Sequence, residues 1–179
     1  MRKQILVGLS AAAVLVGAVA AVPASADTHR SSTQAQLDRV LKASPGGEQT
    51  GANEISWRQG RVRMTFPAAA SGRALSPGEK LAPQGTPNCK RGWVCLYQDA
   101  DYDGRRLAFS ECHVHDLGDW SFRDQASSWH NNQTGGVTAK LLYRSWWDGS
   151  IKHLKNLPVG SSSYLGDSAN DTADLIDPC

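Results

Sequence analysis

Tyr97-Gln98-Asp99-Ala100-Asp101-Tyr102-Asp103-Gly104 is the stretch that decides the fold. A strand-like run, Trp93-Val94-Cys95-Leu96-Tyr97, enters it, and another, Arg105-Arg106-Leu107-Ala108-Phe109-Ser110, leaves it. A hairpin loop this rich in Asp folds back only if something holds it. The spacing predicts that Tyr102 lies on Tyr97 and that Gly104 takes a positive φ. Further on, Arg123-Asp124-Gln125-Ala126-Ser127-Ser128-Trp129 offers paired serines that can reach backbone groups of the folded hairpin. Together these features predict a Greek-key β-unit and point away from enzymes.

An internal echo follows at a period of roughly 45 residues. Leu142 stands where Tyr97 does, Trp147 where Tyr102 does, and Gly149 where Gly104 does. Asn170-Asp171-Thr172-Ala173-Asp174-Leu175 echoes the serine-rich motif. A single Greek key cannot bury both faces of its strands, whereas two packed as a sandwich can. Strands are expected at 94–97, 105–110, 127–131, 137–144, 151–154 and 171–176. The expected fold is therefore all-β over residues 89–179, a sandwich of two Greek-key motifs.

Toward the N-terminus the character changes. Arg2 and Lys3 precede an apolar run ending at Val22, and Ala24-Ser25-Ala26 is a small-residue cleavage site. Residues 1–26 read as a secretory signal peptide. Residues 27–32 are polar and expected to be loose. Leu37, Val40 and Leu41 have helical spacing within Thr33–Lys42, with Ser32 or Thr33 as the cap. Glu54–Trp57 and Arg61–Phe66 read as strands around an Arg58-Gln59-Gly60 turn, with Ile55, Trp57, Val62, Met64 and Phe66 on one face. Residues 27–66 thus form a helix plus a hairpin, too small to stand alone. They pack on the main domain or are a pro-segment. Residues 67–88, rich in Pro, Gly and Ala, read as a linker.

Without Arg2 and Lys3 the chain has 17 basic and 17 acidic residues. A neutral chain gives no electrostatic reason to bind nucleic acid or an anionic membrane. Cys89, Cys95, Cys112 and Cys179 are an even set in an exported chain and read as two disulfides, with three pairings open. The protein is expected to be a secreted monomer.

Hydrolase chemistry finds no support: the chain has no G-x-S-x-G and no H-E-x-x-H. Ser128 and His130 share a strand face without an orienting carboxylate. His113-Val114-His115-Asp116, if a strand, puts two imidazoles on one face that could bind zinc with Asp116 near, but no third ligand is close in sequence and an exposed turn is the expected role. Of the six tryptophans, Trp146 and Trp147 would point to opposite faces of a strand. At least one is then exposed as a platform for a sugar ring or a partner protein.

The pattern Tyr97-x4-Tyr102-x-Gly104 resembles the folded-hairpin signature of the βγ-crystallin superfamily. Residues 123–128 resemble its calcium motif. Within the superfamily, the runs from Val94 to Asp99 and from Ala126 to Asn132 are similar to secreted proteins of peptidase inhibitor family I36, the Streptomyces metalloproteinase inhibitor type. The resemblance implies a βγ-crystallin-like sandwich that inhibits thermolysin-like metallopeptidases by non-covalent occlusion of the cleft. Its alternative is a calcium-stabilised module that binds cell-wall glycan or acts as a killer-toxin-like antifungal protein.

The superfamily shares each Ca2+ ion between its two Greek keys. Carried over by position, the ligands implied here are Asp124 and Ser127 from the first motif and Asn170, Asp171 and Asp174 from the second. Arg123 stands where Asn or Asp is usual, Asp174 replaces Ser or Thr, and Leu175 replaces the final Ser. Ser127 and Ser128 also have a metal-free role, holding the 97–104 hairpin.

Overall fold

A computed structural model describes residues 24–67 and 85–179. The apolar leader and most of the linker read from the sequence lie outside those residues. Helix α1 spans Ala24–Ala43. It therefore takes in residues 27–32, which were expected to be loose, and no cap at Ser32 or Thr33 starts it. The strands are β1 (Glu48–Gly51), β2 (Glu54–Trp57), β3 (Val62–Thr65), β4 (Val94–Tyr97), β5 (Arg106–Phe109), β6 (His115–Asp116), β7 (Ser128–Asn131), β8 (Ala139–Arg144), β9 (Ile151–Leu157), β10 (Gly160–Ser162) and β11 (Leu175–Asp177).

They form two antiparallel sheets. One runs β1-β2-β3-β5-β4-β7-β10, the other β6-β11-β8-β9. Each Greek key lends its third strand to the opposite sheet: β6 of the first key pairs with β11, and β10 of the second with β7. This exchange interlocks the keys and makes an all-β sandwich. Strands β1, β6 and β10 had no sequence expectation. All four residues of β1 are exposed, and β6 and β10 have only two and three residues, so none shows an apolar alternation.

Alternation places the core. Val94 and Leu96 point between the sheets and join Leu107, Phe109, Trp129, Leu141, Leu157 and Ile176 in one buried cluster. Cys95 and Tyr97 point the other way, where Cys89, Trp93 and Ala108 cover them. The face expected from Ile55, Trp57, Val62, Met64 and Phe66 is buried in the main cluster together with Leu37 and Val40 of α1. Backbone hydrogen bonds add to this packing: β3 pairs antiparallel with β5 from Val62↔Phe109 to Thr65↔Arg106.

The 97–104 loop is folded as expected. Tyr102 packs edge-on against Tyr97, ring centroids 5.5 Å apart. Gly104 has φ +72°, and a Cβ there would sit 2.9 Å from Gln98 Cβ and closer still to the Asp99 carboxylate. Asp101 and Tyr102 also have positive φ, at 56° and 61°, a conformation costly for residues with side chains. Buried Ser128 holds it. Its hydroxyl donates to the Asp99 carbonyl at 2.7 Å and accepts from Tyr102 N at 3.1 Å. Ser128→Ala leaves both backbone groups without that partner. It is expected to cost about 2 kcal/mol in urea unfolding, and a loss below about 0.5 kcal/mol would show that Ser128 does not hold the loop.

The second copy departs from the first. Leu142 lies opposite Leu175 as Tyr97 lies opposite Ser128, and Gly149 has φ +68°. But Trp147 does not fold back onto the hairpin as Tyr102 does; it is 80% exposed. Leu175 has no hydroxyl with which to hold such a loop. Trp146 and Trp147 lie in the β8–β9 turn rather than on a strand, and their rings stack, centroids 4.0 Å apart.

Candidate functional site

The two serine and aspartate motifs meet around an approximate two-fold axis. Asp124 N donates to the Ala173 carbonyl and Asp171 N to the Ala126 carbonyl, each at 3.0 Å. Both aspartates take positive φ, 53° and 51°. Equivalent bonds anchor the next turn: Leu165 N to the Ser127 carbonyl, and Leu117 N to the Asp174 carbonyl.

The structure thereby gathers the expected calcium ligands into two half-sites. In one, Ser127 Oγ donates to Asp171 Oδ1 at 3.2 Å, and Asn170 Nδ2 to Asp171 Oδ2 at 2.7 Å. Asn170 Oδ1 is buried and unpaired among the described residues. Asp99, which sequence reasoning passed over, faces this group. Burial and then the charges of Asp103 and Asp171 raise its pKa. In the other half-site, burial followed by the charges of Asp174 and Asp171 raises the Asp124 pKa. Arg123 intrudes here, with Nε 3.8 Å from Asp174 Oδ1, and Asp174 Oδ2 accepts from Arg144 N at 2.7 Å. Oxygen donors with an orphaned carbonyl suit a hard cation at the Asp171 half-site. At the Asp124 half-site Arg123 already supplies positive charge.

Asp116 does not join His113 and His115. It accepts from Arg123 Nε at 2.7 Å and from Gly118 N at 2.8 Å. The Arg123 bond, the largest influence, lowers the Asp116 pKa.

The exposed end of the second sheet carries an apolar surface feature. Trp146 and Trp147 are 81% and 80% exposed, and Ile151 beside them is 50% exposed. The tip beneath is tied down. Gly149 N donates to the Ser145 carbonyl at 2.9 Å and Ser145 N to the Ser150 carbonyl at 2.8 Å. Asp148 Oδ1 accepts from Ser150 N and Oγ at 3.1 and 2.7 Å. Strand β9, leaving the tip, is an outer strand of its sheet.

The disulfides are Cys89–Cys95 and Cys112–Cys179. The first closes the cover over Tyr97 and the second ties the chain end to the segment after β5. Two disulfides fit an oxidising compartment. Among the described residues no helix is long and apolar enough to cross a membrane.

No curated protein matches the chain. Among solved structures it is similar to one from work on the evolution of the eye-lens βγ-crystallin domain fold, with 18% identity, TM-score 0.38, and coverage of 52% of this chain and 91% of that one. A βγ-crystallin domain from Clostridium beijerinckii shows 16% identity, TM-score 0.34, and coverage of 47% and 93%. Spherulin 3A from Physarum polycephalum shows 20% identity, TM-score 0.34, and coverage of 52% and 87%. Residues 82–154 match the family model of peptidase inhibitor family I36. The family that the 94–132 motifs resemble is thus the one whose model matches this segment, a family of peptidase inhibitors.

Proposed function

We propose that the protein is a secreted inhibitor of thermolysin-like metallopeptidases that blocks the cleft without covalent chemistry. The observation that carries this reading is the family match over residues 82–154, which takes in both the first Greek key and the tryptophan tip. The tip supports it physically. A hairpin already ordered by four hydrogen bonds loses little entropy on entering a cleft. Its two rings can fill apolar subsites, and the outer edge of β9 can pair with extended backbone. The test is a titration of thermolysin with the oxidised protein, with subtilisin as control. A sharp loss of activity near one equivalent, confined to thermolysin, is the expected result. Full activity in a large excess of folded protein would remove this target class.

The stacked, exposed Trp146–Trp147 pair favours a second reading, a module that docks a sugar ring of a cell-wall glycan. Retention on chitin, glucan or peptidoglycan without inhibition would bring it forward.

Calcium belongs to either reading as a stabilising ion. Asp171, Asn170 and Ser127 would hold it, with Asp99 nearby, and it would neutralise the clustered carboxylates. With a dissociation constant of about 0.1–1 mM, 10 mM Ca2+ is expected to add about 1–3 kcal/mol, read as a rise in Tm. Asp171→Asn should abolish the rise. An unchanged Tm at 10 mM Ca2+ would count against the ion.

A further inference from the structure

Glu111, His113 and His115 occupy alternate positions in the bent segment that leads into β6. Their ligand atoms all lie within 4.8 Å of one another. The third group absent from the sequence reading is therefore Glu111, two residues before His113. Cys112 between them is fixed by its disulfide to Cys179, so the segment is anchored in its middle.

His115 is the second and independent observation. It is 2% exposed, and neither ring nitrogen makes a hydrogen bond of good geometry among the described residues, the Glu111 backbone offering only a poorly aligned contact. A buried imidazole ordinarily satisfies at least one of its nitrogens. Its ring lies against Phe109 and Trp120, centroids at 4.7 and 5.5 Å, and against His113 at 3.9 Å. Phe109 and Trp120 thus wall the His115 ring, and His113 stands over it.

A cation already stands beside His113 and Glu111. Arg58, from the β2–β3 turn, places Nη1 2.6 Å from His113 Nε2 and 3.2 Å from Glu111 Oε1. Arg61 Nη1 stands 3.5 Å from Glu111 Oε2. The Arg58 side chain is 46% exposed, so its guanidinium can turn into water and yield its place.

We propose that Glu111, His113 and His115 form a binding site for a divalent transition-metal ion, Zn2+ by its donor set. Two imidazoles and one carboxylate are a common zinc triad, with water as the fourth ligand. The ion displaces the Arg58 guanidinium and gives the buried His115 a partner. It also stands between the β2–β3 turn and the segment after β5, close to the disulfide that holds the chain end. The site is separate from the carboxylate half-sites and does not depend on the inhibitor reading.

The test uses the oxidised full chain with Co2+ and Zn2+ themselves. One equivalent of Co2+ is expected to give the visible absorption of a low-coordinate nitrogen and oxygen site, with Zn2+ displacing it. His113→Ala removes an exposed ligand without disturbing the core. It should weaken binding by more than the roughly 10–100-fold that an outer partner is worth. Arg58→Met should tighten it by about five- to tenfold, the effect of removing one exposed competing charge. His153→Ala, on β9, should change nothing. No Co2+ band at millimolar metal, or binding that survives His113→Ala, overturns the proposal. So does a His153→Ala loss, which would put the metal elsewhere.

Discussion

Replacing both Trp146 and Trp147 by Ala is expected to weaken inhibition of thermolysin about 100-fold or more, while leaving the unfolding midpoint nearly unchanged. The two halves of that expectation have separate causes. Rings about four-fifths exposed contribute little to the fold, and surface substitutions usually stay within about 0.5 kcal/mol. A buried interface tryptophan, by contrast, is typically worth about 2 kcal/mol or more, roughly 30-fold each. The tip is ordered by Ser145, Asp148, Gly149 and Ser150 rather than by the rings. The truncated hairpin therefore keeps its shape, and the lost affinity reports lost contact. Single variants divide the effect between the rings. A double variant that inhibits like the parent would move the contact surface away from this tip. If glycan retention vanishes instead, the second reading gains.

What was legible in the sequence was local. The 97–104 hairpin is specified by residues within a few positions of one another, so Tyr97, Tyr102 and Gly104 announce it. The β2–β3 face was legible because five apolar residues alternate across a short turn. The exchanged strands β6 and β10 were not. Each is held by pairing with a distant strand, and its own residues carry no pattern. The two serine and aspartate stretches were legible, and the fold brings Ser127 of the first to Asp171 of the second. Asp99 was hidden because it enters from the hairpin, 25 residues before Asp124. Trp147 misled because its spacing copies Tyr102, while Leu175 lacks the hydroxyl that makes the fold-back possible. Glu111 was overlooked because alternation was read forward from His113, toward Asp116, and not backward.

Removing the helix and hairpin is expected to unfold the sandwich or make it aggregate. Residues 24–66 contribute Leu37, Val40, Ile55, Trp57, Val62, Met64 and Phe66 to the same buried cluster as Leu96, Leu107 and Phe109. Each such side chain is worth about 1.5–3 kcal/mol of burial, largely offset by the entropy of ordering the segment. What remains is the damage to the other side. Strand β5 loses its partner along Val62↔Phe109 to Thr65↔Arg106 and becomes a bare edge, the kind of edge that recruits other chains. Leu107 and Phe109 lose apolar neighbours at the same stroke. A chain starting at residue 85 is thus expected to melt at least about 10 °C lower, from a loss of about 2 kcal/mol or more, or to be recovered only as aggregate. Met64→Ala in the full chain separates packing from strand pairing. Met64 is fully buried opposite Leu107, and the cavity should cost about 2–5 kcal/mol. A soluble 85–179 chain with the parent's melting temperature would mean that the sandwich is complete without its first three strands. The segment would then act as a detachable leader. If truncation and Met64→Ala both destabilise, the seven-stranded sheet is the folding unit, and a chain trimmed to residue 85 would be the less stable protein.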